Sequence, residues 1–458
     1  MSADELLPLL DRIAERAGPG EQVEAFGLDE TETVVKAHDG AVESLSSARR
    51  VGVGIRVVAD HRVGYCYTVD LGEPALGDAL AEARDNATVG SPDPGNVLAE
   101  PVDVPPLDDS LIFDGAVETT APEQKVDAAI ALERAARDAP EITGTDTAQY
   151  GDGVRTAAIS SSTGVRASYR RSDAYVLVEA LAGRNGSTTS AYGLSIGRSL
   201  GEVDIAAAAD EAVRRATRLL GGRPPASARL PIVFDQFVTA AFLGVLAGGL
   251  LAEAVQRGRS LFADRVGDRL APDFVHLIDD GRYPKGPSTV PWDGEGTPTG
   301  TTVLLDGGVL RGYLHNVASA TRDDSDAARS TGNASRPTFS TPPGLSPTNF
   351  YLHPGVTPPA ELIGSLDTAF YCQQVMGLHS GANPISGDFS VGAAGVMIRA
   401  GEFAEPVREA TIAGSIPQML GGIVAIGNDL RFLPFGGGAG GVTLVIEGMT
   451  LAGGAIAG

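Results

Sequence analysis

Leu6, Leu7, Leu10 and Ile13 recur at helical spacing near the start of the chain, which predicts an amphipathic helix. Residues 23–26 and 32–36 then read as strands. An Asp39-Gly40 turn leads into a strand at 41–45, the signature of a β-hairpin. Two further strands follow at 51–58 and 63–69, then a helix at 74–87. A Pro-rich connector at 91–108 marks a domain joint. Beyond it the pattern starts again. A helix at 122–138 opens on Pro122 and Glu123, both favourable at a helix N-terminus. Strands follow at 145–150, 154–160, 165–170, 174–182 and 188–196, and a helix at 204–220. Asp39-Gly40 and Thr163-Gly164 hold equivalent places, and helices starting near Ala75 and Asp204 close each unit. The two units therefore read as a structural repeat.

After a linker at 221–225 and a buried strand at 229–234 comes the longest apolar stretch, 237–260. No charge interrupts it between Asp235 and Glu253. It has the length of a long helix. Three readings compete: a membrane span, a buried core helix, or a helix where some proteins keep catalytic metal ligands. The rest is strand-dominated, with strands at 302–306, 309–314, 396–399, 407–412 and 442–447 and a hairpin signal in Leu305-Asp-Gly-Gly-Val309. The predicted class is α+β. Two strand-rich domains, 1–108 and 109–225, are each closed by a helix. A larger antiparallel β-rich domain, 226–458, carries the central buried helix.

Composition narrows the function. With 43% hydrophobic and 20% charged residues the chain is an ordinary globular one. Its formal net charge is −23, and lysine occurs only at Lys36, Lys125 and Lys285. No Lys/Arg cluster is present to bind phosphate, which argues against a nucleic-acid partner. The membrane reading fails on length, because the uncharged run is shorter than the roughly 20 residues a span needs. The N-terminus lacks the basic start of a secretion signal, so a cytoplasmic location is expected. Cys66 and Cys372 lie far apart and are expected to be buried free thiols.

The obvious chemical motifs are weak. Gly193-x-Ser195-x-Gly197 matches the serine-hydrolase elbow, but no helix follows the serine directly. Gly436–Gly441 reads as a closely packed or flexible loop, since a phosphate loop needs a helix N-terminus and usually a lysine. No two of the six histidines stand at metal-ligand spacing. Asp279-Asp280 and Asp293-x-Glu295 are paired acids, expected to be solvated loop residues rather than a cation site.

A series of short motifs carries more. They are Gly258-x-Ser260-Leu-Phe262, Ile278-Asp-Asp-Gly281, Asp293-Gly-Glu-Gly-Thr-Pro298, Leu305-Asp-Gly-Gly-Val-Leu310, Ser330-Thr-Gly-Asn333, Ser386-Gly-Asp-Phe-Ser390, Ala410-Thr-Ile-Ala-Gly414, Gly427-Asn-Asp429 and Gly448-Met-Thr450. In this order and spacing the chain resembles the TldD/PmbA family over nearly its whole length. The resemblance implies a cytosolic zinc peptidase of two unlike subunits acting on unfolded or precursor peptides. The TldD-type subunit carries H-E-x-x-x-H on a helix and a third ligand, a cysteine, near the C-terminus. Its glutamate is general base to the zinc-bound water.

Counted back from Gly258-x-Ser260, those positions fall here on Leu243, Gly244 and Gly248, and Cys372 is the last cysteine. The resemblance therefore implies a TldE/PmbA-type subunit with no catalytic residue, no metal and no cofactor of its own. Zinc is expected in a TldD-type partner. The assembly would be a heterodimer, or a homodimer in the alternative of a stand-alone peptide-binding protein. A third possibility is an enzyme using Ser195, Cys66 or Cys372. Ser330, Thr331, Gly332 and Asn333, with Ser386, Gly387, Asp388 and Phe389, are the candidates for lining a chamber or an interface.

Overall fold

The Asp39-Gly40 turn joins strands far longer than local alternation predicts. β1 (Glu21–His38) and β2 (Ala41–Ala59) pair antiparallel from Glu21↔Ala59 to His38↔Ala41. Asp39 and Gly40 both take positive φ, 53° and 76°, as a tight two-residue hairpin turn requires. The computed structural model describes residues 1–103, 105–323, 329–383, 385–434 and 438–453. In it, the strands expected at 23–26 and 32–36 are one strand, as are those at 41–45 and 51–58. The same merging gives β4 (Ile142–Ser161) and β5 (Arg166–Arg184). Alternation misleads here because Val23–Asp29 is buried on both faces, whereas residues 41–50 are exposed on both.

With β3 (Arg62–Thr68) and β6 (Ser187–Gly197), these strands form one sheet in the order β3-β2-β1-β4-β5-β6. The two strand-rich units meet at the β1–β4 pairing and continue each other's sheet. Helices Ala3–Ala14 and Glu73–Val89 pack on Val23, Ala25, Val53 and Ile55. Helices Pro122–Arg137 and Ile205–Arg218 pack on Val35, Tyr150, Val176 and Val178. The two units share a detail. Gly64 in β3 lies under Ala83 and Ala87 of its closing helix, and Gly193 in β6 lies under Ala208 and Ala212 of the other. A glycine lets the helix backbone settle directly on the strand.

The C-terminal half is built of two sheets around one helix. In the eight-stranded sheet, Ile232–Phe234 lies between Leu444–Ile446 and Thr368–Met376. In the six-stranded one, Leu277–Asp280 lies between Thr301–Asp306 and Phe350–Leu352. Helix Gln236–Gly249 sits between them and gives Phe242, Leu243, Leu246 and Ala247 to the largest core. Most pairings are antiparallel. The exceptions are Ile232–Phe234 with Thr368–Met376, and Phe350–Leu352 with Ala439–Gly441.

Three local expectations change. The stretch 237–260 is not one long helix. It stops at Gly249, turns at Leu250–Leu251, and resumes as the short helix Ala252–Gln256. The turn is held from outside, because Leu250 C=O accepts the Leu314 N–H (2.9 Å) and Ala252 N–H donates to the Leu314 carbonyl (2.9 Å). The strand expected at 309–314 is only Val309–Leu310, whereas 396–399 and 407–412 extend to Asp388–Arg399 and Glu402–Ser415. The glycine-rich segment expected as a loop is a strand from Ala439 to Gly441, where Gly441 presses on the Gln236 backbone. Gly436 and Gly437 of that segment lie outside the described residues. Among the described residues no helix is long and apolar enough to cross a membrane.

Candidate functional site

Asp235 stands just before the apolar helix and caps it, its Oδ1 accepting the Val238 N–H (2.9 Å). Its other oxygen pairs with Arg215 of helix Ile205–Arg218, which also donates to the Gln373 carbonyl (2.6 Å). Burial raises the Asp235 carboxyl above its ordinary range, opposed by the Arg215 charge. Phe242 stacks on Phe234 (centroids 4.9 Å, 15°) and meets Phe389 edge-on (4.9 Å, 66°). Leu243 is buried, Gly244 half-buried and Gly248 exposed with open space where a Cβ would stand. None of the three carries a ligand atom, so zinc does not fit these positions. Among the described residues, no group of three His, Cys, Asp or Glu side chains is arranged to hold a metal ion.

The two motif loops go to different places. Phe389 is core and packs against the helix through Phe242. Ser386, Gly387 and Asp388 build the turn before it. Asn383 Oδ1 accepts the Ser386 N–H (3.1 Å), Asn383 C=O the Gly387 N–H (2.8 Å), and Ser386 Oγ the Asp388 N–H (3.3 Å). Gly387 needs to be glycine, because its φ is +78°. Asp388 itself is exposed.

The loop of Ser330–Asn333 instead joins the strand Leu277–Asp280. Ser330 Oγ donates to the His315 carbonyl (3.4 Å), and Thr331 Oγ1 accepts the His315 N–H (2.8 Å) and donates to Asn333 Oδ1 (2.6 Å). Gly332 takes φ +76°. Asn333 Nδ2 donates to Asp279 Oδ2 (2.7 Å), which also accepts the Thr348 hydroxyl (2.9 Å), while Asp279 Oδ1 accepts the Thr348 N–H (2.7 Å).

Of the paired acids only Asp280 reaches solvent, being half-buried. Asp279, Asp293 and Glu295 are all buried. Burial pushes Asp279 up to about 6, against the hydrogen bonds from Asn333 and Thr348. Burial, with the Glu295 charge beside it, pushes Asp293 well above the ordinary carboxylate range. Asp293 accepts the Glu295, Thr297 and Ala334 amides at 2.8–3.0 Å. Glu295 reaches across to the N-terminal sheet, where its Oε1 accepts from Arg56 (3.0 Å). Arg56 also binds Glu24 (2.7 Å), its cross-strand neighbour, and Glu24 pairs with Arg336. Burial alone would raise Glu24, yet Arg336 and Arg56 hold it below its ordinary range. This buried network joins the two halves of the molecule. Isolated charges in the sequence gave no sign of it, whereas Asp235 before an apolar run was a readable cap signal.

Other nucleophile candidates dissolve into structure. Ser195 Oγ accepts the Asp204 N–H (2.9 Å) at the start of helix Ile205–Arg218. The Gly193 beside it serves helix packing. Cys372 is fully buried and its thiol pKa lies well above the ordinary value. Cys66, expected to be buried, is only half-buried, and desolvation still raises its thiol. His315, Ser319 and Asp323 have the composition of a triad, and the Ser319 hydroxyl lies 3.4 Å from His315 Nδ1 and 3.3 Å from the Asn316 carbonyl, but Ser319 is fully buried within a short helix and out of reach of a substrate.

Comparison with known proteins agrees with this architecture. Residues 227–453 match the PmbA/TldA metallopeptidase C-terminal domain, 116–220 its central domain and 23–87 its domain 1. The chain is 26% identical to metalloprotease PmbA of Escherichia coli O157:H7 over 403 residues, 87% of this chain and 85% of that protein. It is 27% identical to a metalloprotease of Methanothermobacter thermautotrophicus over 409 residues, 86% and 85% of the two chains. A Thermotoga maritima protein, suggested to be a modulator of a DNA gyrase, superposes with a TM-score of 0.88 at 25% identity, covering 98% of this chain and all of that one. TldE of Thermococcus kodakarensis gives 0.85 at 20% identity over 99% of this chain and 100% of its own, a likeness of fold. The three domain models in series, the shared α+β fold and the motif order agree: this chain belongs to the PmbA/TldD metallopeptidase family.

Proposed function

We propose that this chain is the non-catalytic, TldE/PmbA-type subunit of a cytoplasmic metallopeptidase that degrades unfolded or precursor peptides, its zinc being held by a TldD-type partner. The observation that carries the reading is helix Gln236–Gly249. It is capped and packed between two sheets, and it carries Leu243, Gly244 and Gly248 at the positions where the family resemblance puts the ligands and base of a catalytic subunit. An open strand edge supports a docking partner. β3 pairs with β2 only from Val53 onward, which leaves residues 41–52 of β2 with an unpaired edge among the described residues. Such an edge accepts another strand by main-chain hydrogen bonds.

The same edge favours a second reading, a homodimer that grips extended peptides without cutting them. Co-expression with a TldD-type chain, followed by light scattering, zinc analysis and peptide hydrolysis, separates the two. The expected outcome is a mixed complex that binds zinc and cleaves peptides, while this chain alone does neither. Stoichiometric zinc together with hydrolysis by this chain alone overturns the proposal. A stable self-dimer that ignores the TldD-type chain supports the second reading.

A further inference from the structure

Helix Ile205–Arg218 places Glu211, Arg214, Arg215 and Arg218 along one stripe, at i, i+3, i+4 and i+7. Its alanines 208, 209, 212 and 216 are buried against the N-terminal sheet. The charged stripe borders a pocket of about 450 Å³, closed on the other side by the C-terminal domain. The pocket lies beside Asp235 and Gln236, at the start of the apolar helix.

The ionic partners in this pocket do not come out even. Glu211 is taken by Arg431 (2.6 Å), and Asp235 by Arg215. Asp429 accepts the Thr443 N–H (3.0 Å) and hydroxyl (2.8 Å), and Glu402 is exposed. Arg214 and Arg218 have no carboxylate partner among the described residues. Arg215 also buries its Nε without a hydrogen-bond partner. The Arg218 guanidinium lies over the Phe403 ring (4.5 Å) and near the Tyr371 ring (5.7 Å), which holds its plane. Burial lowers the pKa of Arg218, and the charges of Arg214 and Arg215 act in the same direction. A bound anion would relieve that repulsion.

We propose that this pocket holds the C-terminal carboxylate of a short peptide, gripped by Arg214 and Arg218. A guanidinium fork matches a carboxylate in two parallel hydrogen bonds. The four carboxylates of the same lining, Glu211, Asp235, Glu402 and Asp429, disfavour a doubly charged phosphate more than a single carboxylate. Pro359, Ile363, Tyr371 and Phe403 offer apolar wall to the last side chain. The volume suits a peptide end rather than a folded partner. The choice of a peptide as the carboxylate's carrier rests on the proposed function; the anion site itself rests on the pocket.

The test is calorimetric titration of the full chain, without partner or zinc, using Leu-Phe and its C-terminal amide, with inorganic phosphate as competitor. The free acid is expected to bind and the amide to bind at least roughly tenfold more weakly. The double variant Arg214→Ala/Arg218→Ala should lose the acid by a similar factor while its thermal unfolding stays unchanged. Arg218→Lys, which keeps the charge but not the stacked fork, should retain only part of the binding. Equal binding of acid and amide, no binding of either, an unaffected double variant, or displacement by equimolar phosphate overturns the proposal. A chain that binds the acid but never joins a TldD-type partner refutes the proposed function and leaves the pocket standing.

Discussion

A Cβ at Gly193 would be driven into the Ala208 carbonyl and the Ala212 amide of the helix above it. The pentapeptide that resembles a hydrolase elbow is therefore explained by packing. Gly193→Ala should destabilise the fold by at least roughly 1–3 kcal/mol, since backbone cannot move aside as a side chain can. Ser195→Ala should cost only about 1 kcal/mol, the worth of one cap-like hydrogen bond, and denaturant unfolding compares the two. The thiols follow from burial in the same way. Cys372 should resist a thiol probe at pH 7 in the native chain and react on unfolding, because its thiolate is disfavoured and unreachable. Rapid native labelling of Cys372 would revive a cysteine-based reading. The motif's residue types were legible in the sequence. What stands above Gly193 was not, because a glycine looks the same in a turn, an elbow or a packing contact.

At the scale of elements, helix Gln236–Gly249 was legible and its end was not. Apolar composition announced the helix. Its stop depends on Leu314, a residue distant in sequence that bonds to both Leu250 and Ala252. Gly248 lies in the last turn with open space around the missing Cβ, so Gly248→Ala should stabilise the protein by up to about 1 kcal/mol. Leu243→His should do the opposite, costing roughly 2–5 kcal/mol through lost packing and a buried imidazole without a partner. Melting temperatures of the two variants should move in opposite directions. If Leu243→His is tolerated and binds zinc, the helix still faces a preformed metal site. The long strands show a related limit. Polar residues in the middle of β1 and β2 suggested breaks, but the two strands pair with each other along the full length of both.

For the whole molecule, the contact that matters most links Glu24 and Arg336, 312 residues apart. Glu24→Ala would leave Arg56 and Arg336 buried without it, at a cost of about 3–5 kcal/mol. Loosening should concentrate where the N-terminal sheet meets the C-terminal half, read by hydrogen exchange of residues 23–29 and 293–297. Asp279 makes stability depend on pH in the opposite sense to a salt-bridged acid. Its folded pKa, about 6, lies above the ordinary 3.8, so the native state keeps a proton that the unfolded chain gives up. Stability from this group is therefore present below pH 3.8 and declines as pH rises towards 6, by roughly 3 kcal/mol at most. Urea midpoints between pH 4.5 and 7 should show that decline, and Asp279→Asn should flatten it.

By itself the sequence determined the element types, the α+β class, the order of the family motifs and the absence of ligand atoms at Leu243, Gly244 and Gly248. These are properties of residue type and local spacing, which a chain carries before it folds. Only the tertiary structure decided that the two strand-rich units form a single sheet. It likewise placed Asp279, Asp293 and Glu295 in the interior and left Arg214 and Arg218 facing a pocket with no carboxylate partner among the described residues. Each of those outcomes depends on which surfaces meet across long stretches of sequence. Burial, not residue type, sets the energy of a charge or the use of a glycine.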